Sequence, residues 1–504
     1  MANTHSFLLM PGAGLHAPED RADGQVLRRL AHPDLVGTGR ATELDLEGAR
    51  HAIEVVDSSH PAGPKLIRMA RDAGRALARR PGIGGLRLFE NRLYRTHAVR
   101  AATLPRSEDP HTGIDPADLM TIGFTITDSA TGKPVEGATV MVYYNQAKHQ
   151  GTGAKTDAAG RAETRWLKTL PTIEQIWVMP PDPPLWWGAF AKDVAAADSF
   201  EIAIDPVDPA WRDVVRFYLP RPSFDISAGV VVAILDTGVA EEPGLTLSGG
   251  MNTVEGEPDT DWGSNGDPHG THVAGLAGAD TARIKGAAPG VTLRSYRVFG
   301  AGGAPAATFA IVKAVTAAVA DGCDILNLSL GIDGTDPPLA EAIAHARDMG
   351  ALVIAAGDNS YGGAVGSPAA NPDCVAVSAL GRTDCLPSGA QPQADVTSTR
   401  GSDPDCFLPS FSCIGSQLDL IGPGVGAIST VPGGFGQMSG SSMACPVISG
   451  LAAQILARRR DIFTAPRTRA RSDALCEALE ESARSMGLAP DQEGRGMPKV
   501  GMAE

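Results

Sequence analysis

The chain has few cysteines, little positive charge and no long apolar run, and each shortage removes a class of protein. Seven cysteines, all from Cys323 onward and none in a CxxC pair, give neither a zinc framework nor a disulfide scaffold. A net charge of -15 argues against a phosphate-tracking surface, because nonspecific nucleic-acid binding rests on clustered Lys and Arg. Nucleic acid is therefore not expected as a partner. No stretch reaches membrane-spanning length, and the start from Met1 to Pro11 has no basic n-region and only a very short apolar run. These absences predict a soluble, cytoplasmic protein with no membrane partner and no recognisable export signal; secretion by another route stays open. At 504 residues the chain is too long for one core and suggests roughly two to four domains.

What is present changes texture three times along the chain. Residues 1–115 read as a small α+β domain: a strand at 51–56, a basic amphipathic helix at 65–80 with a solvated face, and a strand or hairpin at 86–95. Residues 116–206 alternate apolar and polar between Gly, Pro and Asp turns, which predicts a small antiparallel β-sandwich. The phrase Gly132-Lys133-Pro134-Val135-Glu136-Gly137-Ala138-Thr139-Val140, followed by Thr156-Asp157-Ala158-Ala159-Gly160-Arg161, resembles the transthyretin-like or carboxypeptidase-regulatory-like module. By that resemblance the domain is an appendage for packing or binding and carries no chemistry. Trp186-Trp187 is either a peptide platform or, the more common use of such a pair, an interdomain contact.

Residues 207–228, with Pro209, Pro220 and Pro222, read as a linker, and residues 229–504 as an α/β domain with a doubly wound, mostly parallel sheet. Apolar runs at 230–235, 293–299, 325–330, 352–356, 375–380 and 418–421 suit strands buried on both faces. Helical stretches fall between them near 306–319, 339–349, 442–459 and 472–485. In such sheets, sites form beyond the carboxyl ends of strands.

Three segments carry the chemistry. An apolar strand stops at Asp236-Thr237-Gly238; His269-Gly270-Thr271-His272 opens an apolar helical run; and Gly440-Ser441-Ser442-Met443-Ala444-Cys445-Pro446 breaks from a Gly-rich loop into another helix, with Pro446 read as part of its first turn. Ser442 then sits where orphan N–H groups and the helix dipole favour a developing oxyanion. A serine hydroxyl needs a base to take its proton, and the base needs a carboxylate to hold its tautomer. The two histidines lack a third ligand at an obvious spacing, so a metal site is not expected.

Together the three segments resemble the subtilisin-like serine proteases, the subtilase family: Asp236 in Asp-Thr-Gly, His269 in His-Gly-Thr-His and Ser442 in Gly-Ser-Ser-Met-Ala. The resemblance implies a serine endopeptidase acting on peptide or protein substrates, with His269 as base and His272 a buried structural histidine. It implies that Ser329, Leu330 and Gly331 form one substrate edge and Gly300 to Gly303 the other. Ala355, Ala356, Gly357 and Gly366 would wall the pocket for the residue before the cut, sized for a large apolar side chain. It also implies an N-terminal propeptide that blocks the cleft, although residues 1–115 carry no propeptide motif.

Four departures from the family stand out. The loop at 278–286 is short and carries only Asp280 as an acid, so no cofactor is expected and calcium is unsupported there. Cys445 and Val447 stand where many relatives have Ser and His. The stretch 382–409 is inserted as a flap beside the leaving-group side, with Cys385 and Cys406 either bridged or, as a cytoplasmic setting favours, free thiols. Asp358 stands at the usual asparagine of the oxyanion hole. Three outcomes follow: a protonated Asp358 that donates, a one-residue shift that brings in Asn359, or a half-built hole in a protein that is slow or needs a partner to reorganise it. The rival class is a non-catalytic peptide-binding or regulatory protein that keeps the fold after losing oxyanion stabilisation. Gap-free register at Gly357 favours Asp358.

Overall fold

A computed structural model describes residues 4–18, 20–46, 48–96, 115–145 and 150–500. The expected domain boundary at 115/116 borders residues 97–114, which lie outside the described residues.

The N-terminal unit is an antiparallel sheet with two helices. Strands β1 (Thr4–Pro11), β2 (Ala41–Leu46), β3 (Ala49–Ser58), β4 (Lys65–Ala70) and β5 (Leu86–Glu90) lie in the order β2-β3-β4-β1-β5, with α1 (Ala22–Leu30) after β1 and α2 (Arg71–Ala78) after β4. The helix expected over 65–80 is thus a strand followed by a shorter helix. Leu66, Ile67 and Met69 are buried between neighbouring strands, and Lys65, whose charge had suggested a solvated face, is interior. Its Nζ donates to the carbonyls of His60 (2.7 Å), Pro61 (3.1 Å) and Gly63 (2.7 Å), which replaces its water. Nor do residues 86–95 form a hairpin. After β5 the chain leaves the sheet, and β6 (Leu93–Thr96) pairs elsewhere.

Residues 119–204 form two sheets. Strands β7 (Leu119–Asp128), β8 (Thr139–Asn145), β9 (Gln150–Lys155), β10 (Arg161–Leu167), β11 (Thr172–Met179), β12 (Ala189–Ala195) and β13 (Ser199–Ile204) divide into β10-β7-β13 and β12-β11-β8-β9. Phe124 and Trp166 of one sheet share a core with Val140, Val142 and Ile176 of the other. Trp187 is buried beside Ala279, Ile284 and Ile428 of the following region, so it serves as an interdomain contact. Residues 207–228 are not an extended linker. Asp213 caps α3 (Val214–Tyr218) by accepting from the Arg216 N–H at 2.9 Å and accepts again from the Ile428 N–H at 2.6 Å, while Val214, Val215 and Tyr218 enter the main core.

The third region is built on an eight-stranded sheet. Its strands are β14 (Val231–Asp236), β15 (Thr246–Asn252), β16 (Thr292–Arg297), β18 (Ile325–Leu328), β20 (Leu352–Ala356), β21 (Cys374–Arg382), β22 (Cys406–Phe407) and β23 (Leu420–Pro423); β17 (Ala306–Ala307) and β19 (Leu330–Gly331) lie off it. The order is β15-β16-β14-β18-β20-β21-β22 with β23 beside β21, and every pairing is parallel except β21 with β22. Period two explains the continuous apolar runs: along β14, Val232 and Ile234 face one core, Ala233 and Leu235 the other. The connecting helices include α4 (His269–Gly278), α5 (Thr308–Ala320), α6 (Pro337–Asp348), α7 (Ser441–Arg458), α8 (Arg460–Phe463) and α9 (Arg469–Glu481). Among the described residues no helix is long and apolar enough to cross a membrane.

The insertion at 382–409 is held without a disulfide. Cys385 and Cys406 are buried free thiols, and Arg382 ties the base instead, pairing with Asp384 (2.8 Å) and Asp403 (2.5 Å) beneath the Phe217 ring at 3.6 Å. A planar cation that pairs and stacks at once suits this position better than lysine would.

Candidate active site

β14 ends at Asp236, whose Oδ1 accepts from the Thr237 N–H and lies 2.7 Å from His269 Nδ1. Asp267 accepts from the His269 N–H and Thr237 Oγ1 from the Gly270 N–H, both at 2.9 Å, so the first turn of α4 is tied to the end of the strand. Both side chains of the pair are fully buried, which strengthens their interaction and fixes the ring. An Nδ1–H given to the carboxylate leaves Nε2 as the basic nitrogen, and Nε2 has no hydrogen-bond partner. His272 stands apart: its Nε2 lies 3.0 Å from the Ala427 carbonyl, and burial pushes its pKa down to about 3. Asp280 is ion-paired with Lys285 in its short loop.

Ser442 is the second residue of α7, after Gly440, whose φ of 146° admits no side chain comfortably. Pro446 lies inside this helix, not in its first turn, and its missing N–H would orphan the Ser442 carbonyl. Ser329 Oγ donates to that carbonyl at 3.0 Å, and the Ser442 hydroxyl donates back to the Ser329 carbonyl at 3.1 Å. Asn327 extends the chain, donating to Ser329 Oγ (3.0 Å) and accepting from Ser449 Oγ (2.9 Å). The serine hydroxyl is therefore turned toward the edge strand and not toward His269.

Asp358 and Asn359 follow β20 differently from the gap-free register. Asp358 adopts φ 98°, and its Oδ1 accepts from the Asn359 N–H at 2.6 Å. That left-handed step carries Asn359 to the start of α7, where its Oδ1 accepts from the Ser441 N–H and hydroxyl, each at 3.0 Å. Asp358 instead turns toward the pocket wall: a side chain at Gly366 would come within 3.5 Å of Asp358 Oδ2 and 2.5 Å of the Ile332 carbonyl. Ala355 and Ala356 are buried in β20, and the Gly357 carbonyl accepts from the Cys413 thiol at 2.8 Å.

One expected substrate edge is already paired. Leu330 and Gly331 face Thr96 and Arg95 of β6 in antiparallel register, and on the other side Ala306 and Ala307 face Tyr94 and Leu93. The strand that pairs with β6 on its second side is thus β17, and Gly300 to Gly303 do not pair with it. Ala301 to Gly303 form an exposed turn held back by Glu257, which accepts from the Ala301 N–H (3.1 Å), and by Asn265, which donates to the carbonyl of buried Gly300 (2.9 Å). Beside β6 lies a cavity of about 470 Å³ lined by Leu93, Arg95, Thr96, Gly331, Ile332, Asp333, Asp358 and Asn359. That lining holds two carboxylates, Asp333 and Asp358, and none of Ala355, Ala356, Gly357 and Gly366.

Sequence reasoning missed the partner of 93–96. Its strand pattern was legible, but the sheet it would join was not. It also missed Thr308 and Asp336, which lie outside the motifs and meet Tyr94 only in three dimensions.

A profile of the subtilase family matches residues 227–493. Subtilisin Savinase of Lederbergia lenta is 35% identical over 231 residues, covering 45% of this chain and 76% of that protein. Subtilisin DY of Bacillus licheniformis is 33% identical over 239 residues, covering 46% and 78%. M-protease of Shouchella clausii (strain KSM-K16) is 35% identical over 231 residues, and there the match spans only about half of the relative, 54%. With the matched span beginning just before β14 and enclosing Asp236, His269 and Ser442, the chain belongs to the subtilase family.

Proposed function

We propose that the protein is a serine endopeptidase whose cleft is filled by its own segment 93–96. Ser442 attacks the peptide carbonyl, His269 Nε2 takes the hydroxyl proton and returns it to the leaving amine, and Asp236 holds the imidazole in the right tautomer. The oxyanion donors in this reading are the Ser442 N–H and the Asn359 side-chain amide. The second replaces the expected Asp358 in this reading, because Asn359 Oδ1 accepts from Ser441, the residue before the nucleophile, and a carboxamide held at the head of α7 can donate an N–H where a carboxylate cannot. The observation that carries the function is the buried 2.7 Å contact of His269 with Asp236 at the strand end, with Ser442 heading α7. Acyl transfer requires the Ser442 side chain to rotate from the Ser329 carbonyl to His269.

The N-terminal unit acts as an intramolecular inhibitor in this account. Its contacts reach both surface helices: Asp57 accepts from Lys313 of α5 at 2.8 Å, and Arg87 pairs with Glu341 of α6 at 2.8 Å. Residues 119–204 are the transthyretin-like appendage, docked through Trp187. A second reading, a peptide-binding relative without activity, is favoured by one observation: the serine hydroxyl is engaged by Ser329 and His269 Nε2 has no partner. A fluorophosphonate probe decides between them. Labelling of the wild type but not Ser442→Ala supports the protease, and absence of labelling after removal of the N-terminal segment supports the binder.

A further inference from the structure

Tyr94 is a fully buried tyrosine supplied by the segment that fills the cleft. Its hydroxyl donates to Asp336 Oδ2 at 2.7 Å and lies 3.4 Å from Ser367 Oγ. The same carboxylate oxygen accepts from Thr308 Oγ1 at 2.7 Å. Asp336 is itself only 3% exposed, and Tyr94 belongs to the apolar cluster that contains Ala306, Phe309, Leu330 and Leu339. The site is therefore an apolar slot with an acidic floor and a second hydroxyl aimed at the same oxygen. An acid held at the end of an apolar slot costs free energy unless a donor reaches it.

From this geometry we infer that the enzyme selects tyrosine as the fourth residue before the scissile bond, with Asp336 as the specificity-determining residue. The inference rests on reading 93–96 as bound in the manner of substrate. Thr96 faces Leu330 and Arg95 faces Gly331, so a substrate strand in the same register would carry its second and third residues before the cut opposite Leu330 and Gly331 and its first opposite Ser329, which is bonded to Ser442. Tyr94 then stands fourth from the cut. Phenylalanine fills the slot but leaves the carboxylate short of a donor. Arginine would bury a guanidinium with five donors among apolar walls, against a carboxylate whose Oδ2 already accepts from Thr308. A site built to bond a hydroxyl rejects the analogue lacking it, and a hydrogen bond to a charged group corresponds to about ten- to hundredfold.

Two measurements on the full chain test this. Internally quenched peptides that differ only at the fourth position before the cut, carrying Tyr, Phe, Leu or Arg, should give kcat/KM about ten- to hundredfold higher for Tyr than for Phe, with the ratio falling to a few-fold in Asp336→Ala and in Asp336→Asn. Equal rates for Tyr and Phe, or a preference for Arg, overturn the proposal. Independently of turnover, hydrogen exchange at 93–96 should accelerate about tenfold or more in Tyr94→Phe while the β1 amides are unchanged; unchanged exchange at 93–96 also overturns it. No turnover of any peptide and no fluorophosphonate labelling, with exchange still responding to Tyr94→Phe, removes the protease reading and leaves the tyrosine site standing.

Discussion

The carboxamide oxygen of Asn359 accepts two hydrogen bonds from Ser441, one from its N–H and one from its hydroxyl, each at 3.0 Å. Both bonds hold the oxygen end of the amide at the head of α7. Asn359→Ala is expected to lower kcat about 10²–10³-fold with little change in KM, the usual cost of one oxyanion donor. Asp358→Asn is expected to change kcat less than about tenfold. Steady-state kinetics on one peptide checks both; a large loss confined to position 358 would return the donor to the gap-free register.

The cleft segment is anchored before it enters the cleft. Arg92 donates to the carbonyls of Asp333 (2.6 Å) and Thr335, and its own carbonyl accepts from the Thr308 N–H at 2.8 Å. Arg92→Ala removes the side-chain bonds and keeps the backbone one. Labelling of Ser442 by a fluorophosphonate should then quicken roughly two- to tenfold, and an unchanged rate would mean that segment 93–96 does not limit access.

Acid should loosen the N-terminal unit. Ring to ring, His16 lies 4.4 Å from His60 within the N-terminal unit and 5.1 Å from His345 of α6 across the interface. Burial, then His60, His345 and Lys65, push the His16 pKa down to about 4; burial, Lys65 and Arg28 lower His60; and burial lowers His345 against the pull of Asp348. The docked state therefore binds fewer protons than the separated one. Docking is undiminished above the ordinary histidine range and weakens as pH falls from about 6.5 toward 4. Hydrogen exchange at 93–96, corrected for intrinsic rate, should rise roughly tenfold between pH 7 and 5, and His16→Gln should flatten the rise.

Asp395 has the opposite sign. It is buried in the insertion, accepts from Ser410 Oγ at 2.8 Å, and burial pushes its carboxyl up to about 7. Between the ordinary carboxylate value and about 7 the folded state holds a proton that the unfolded state releases, so stability falls as pH rises through that window. Asp395→Asn should raise stability at pH 8 by on the order of 1–2 kcal/mol and reduce the slope, as read from urea unfolding at pH 5 and pH 8.

Much of the third region was legible in the sequence because its signals are local. A strand buried on both faces must be continuously apolar, and a nucleophile heading a helix needs glycine before it and an apolar face after it. Those patterns put Asp236 at a strand end and Ser442 at the head of a helix, where the structure has them, and the helices near 306–319 and 442–459 fell where α5 and α7 lie. Residues 65–80 failed for the reverse reason. Basic residues at helical spacing predict a solvated face, and only the carbonyls of His60, Pro61 and Gly63, gathered by a turn, make an interior Lys65 tolerable.

Which residue types stand at the strand ends, and so the chemistry on offer, follows from the order of amino acids. Tertiary structure alone decided how neighbours share it. Whether Asp358 or Asn359 meets Ser441 depends on one backbone step at φ 98°, which no composition or period encodes. The partner of Leu93–Thr96 was equally hidden: a short strand has the same pattern whether it joins its own sheet or the edge at Leu330, and long-range packing of the N-terminal unit on α5 and α6 makes the choice. Asp336 and Tyr94 are 242 positions apart, and only that packing brings the phenol to the carboxylate.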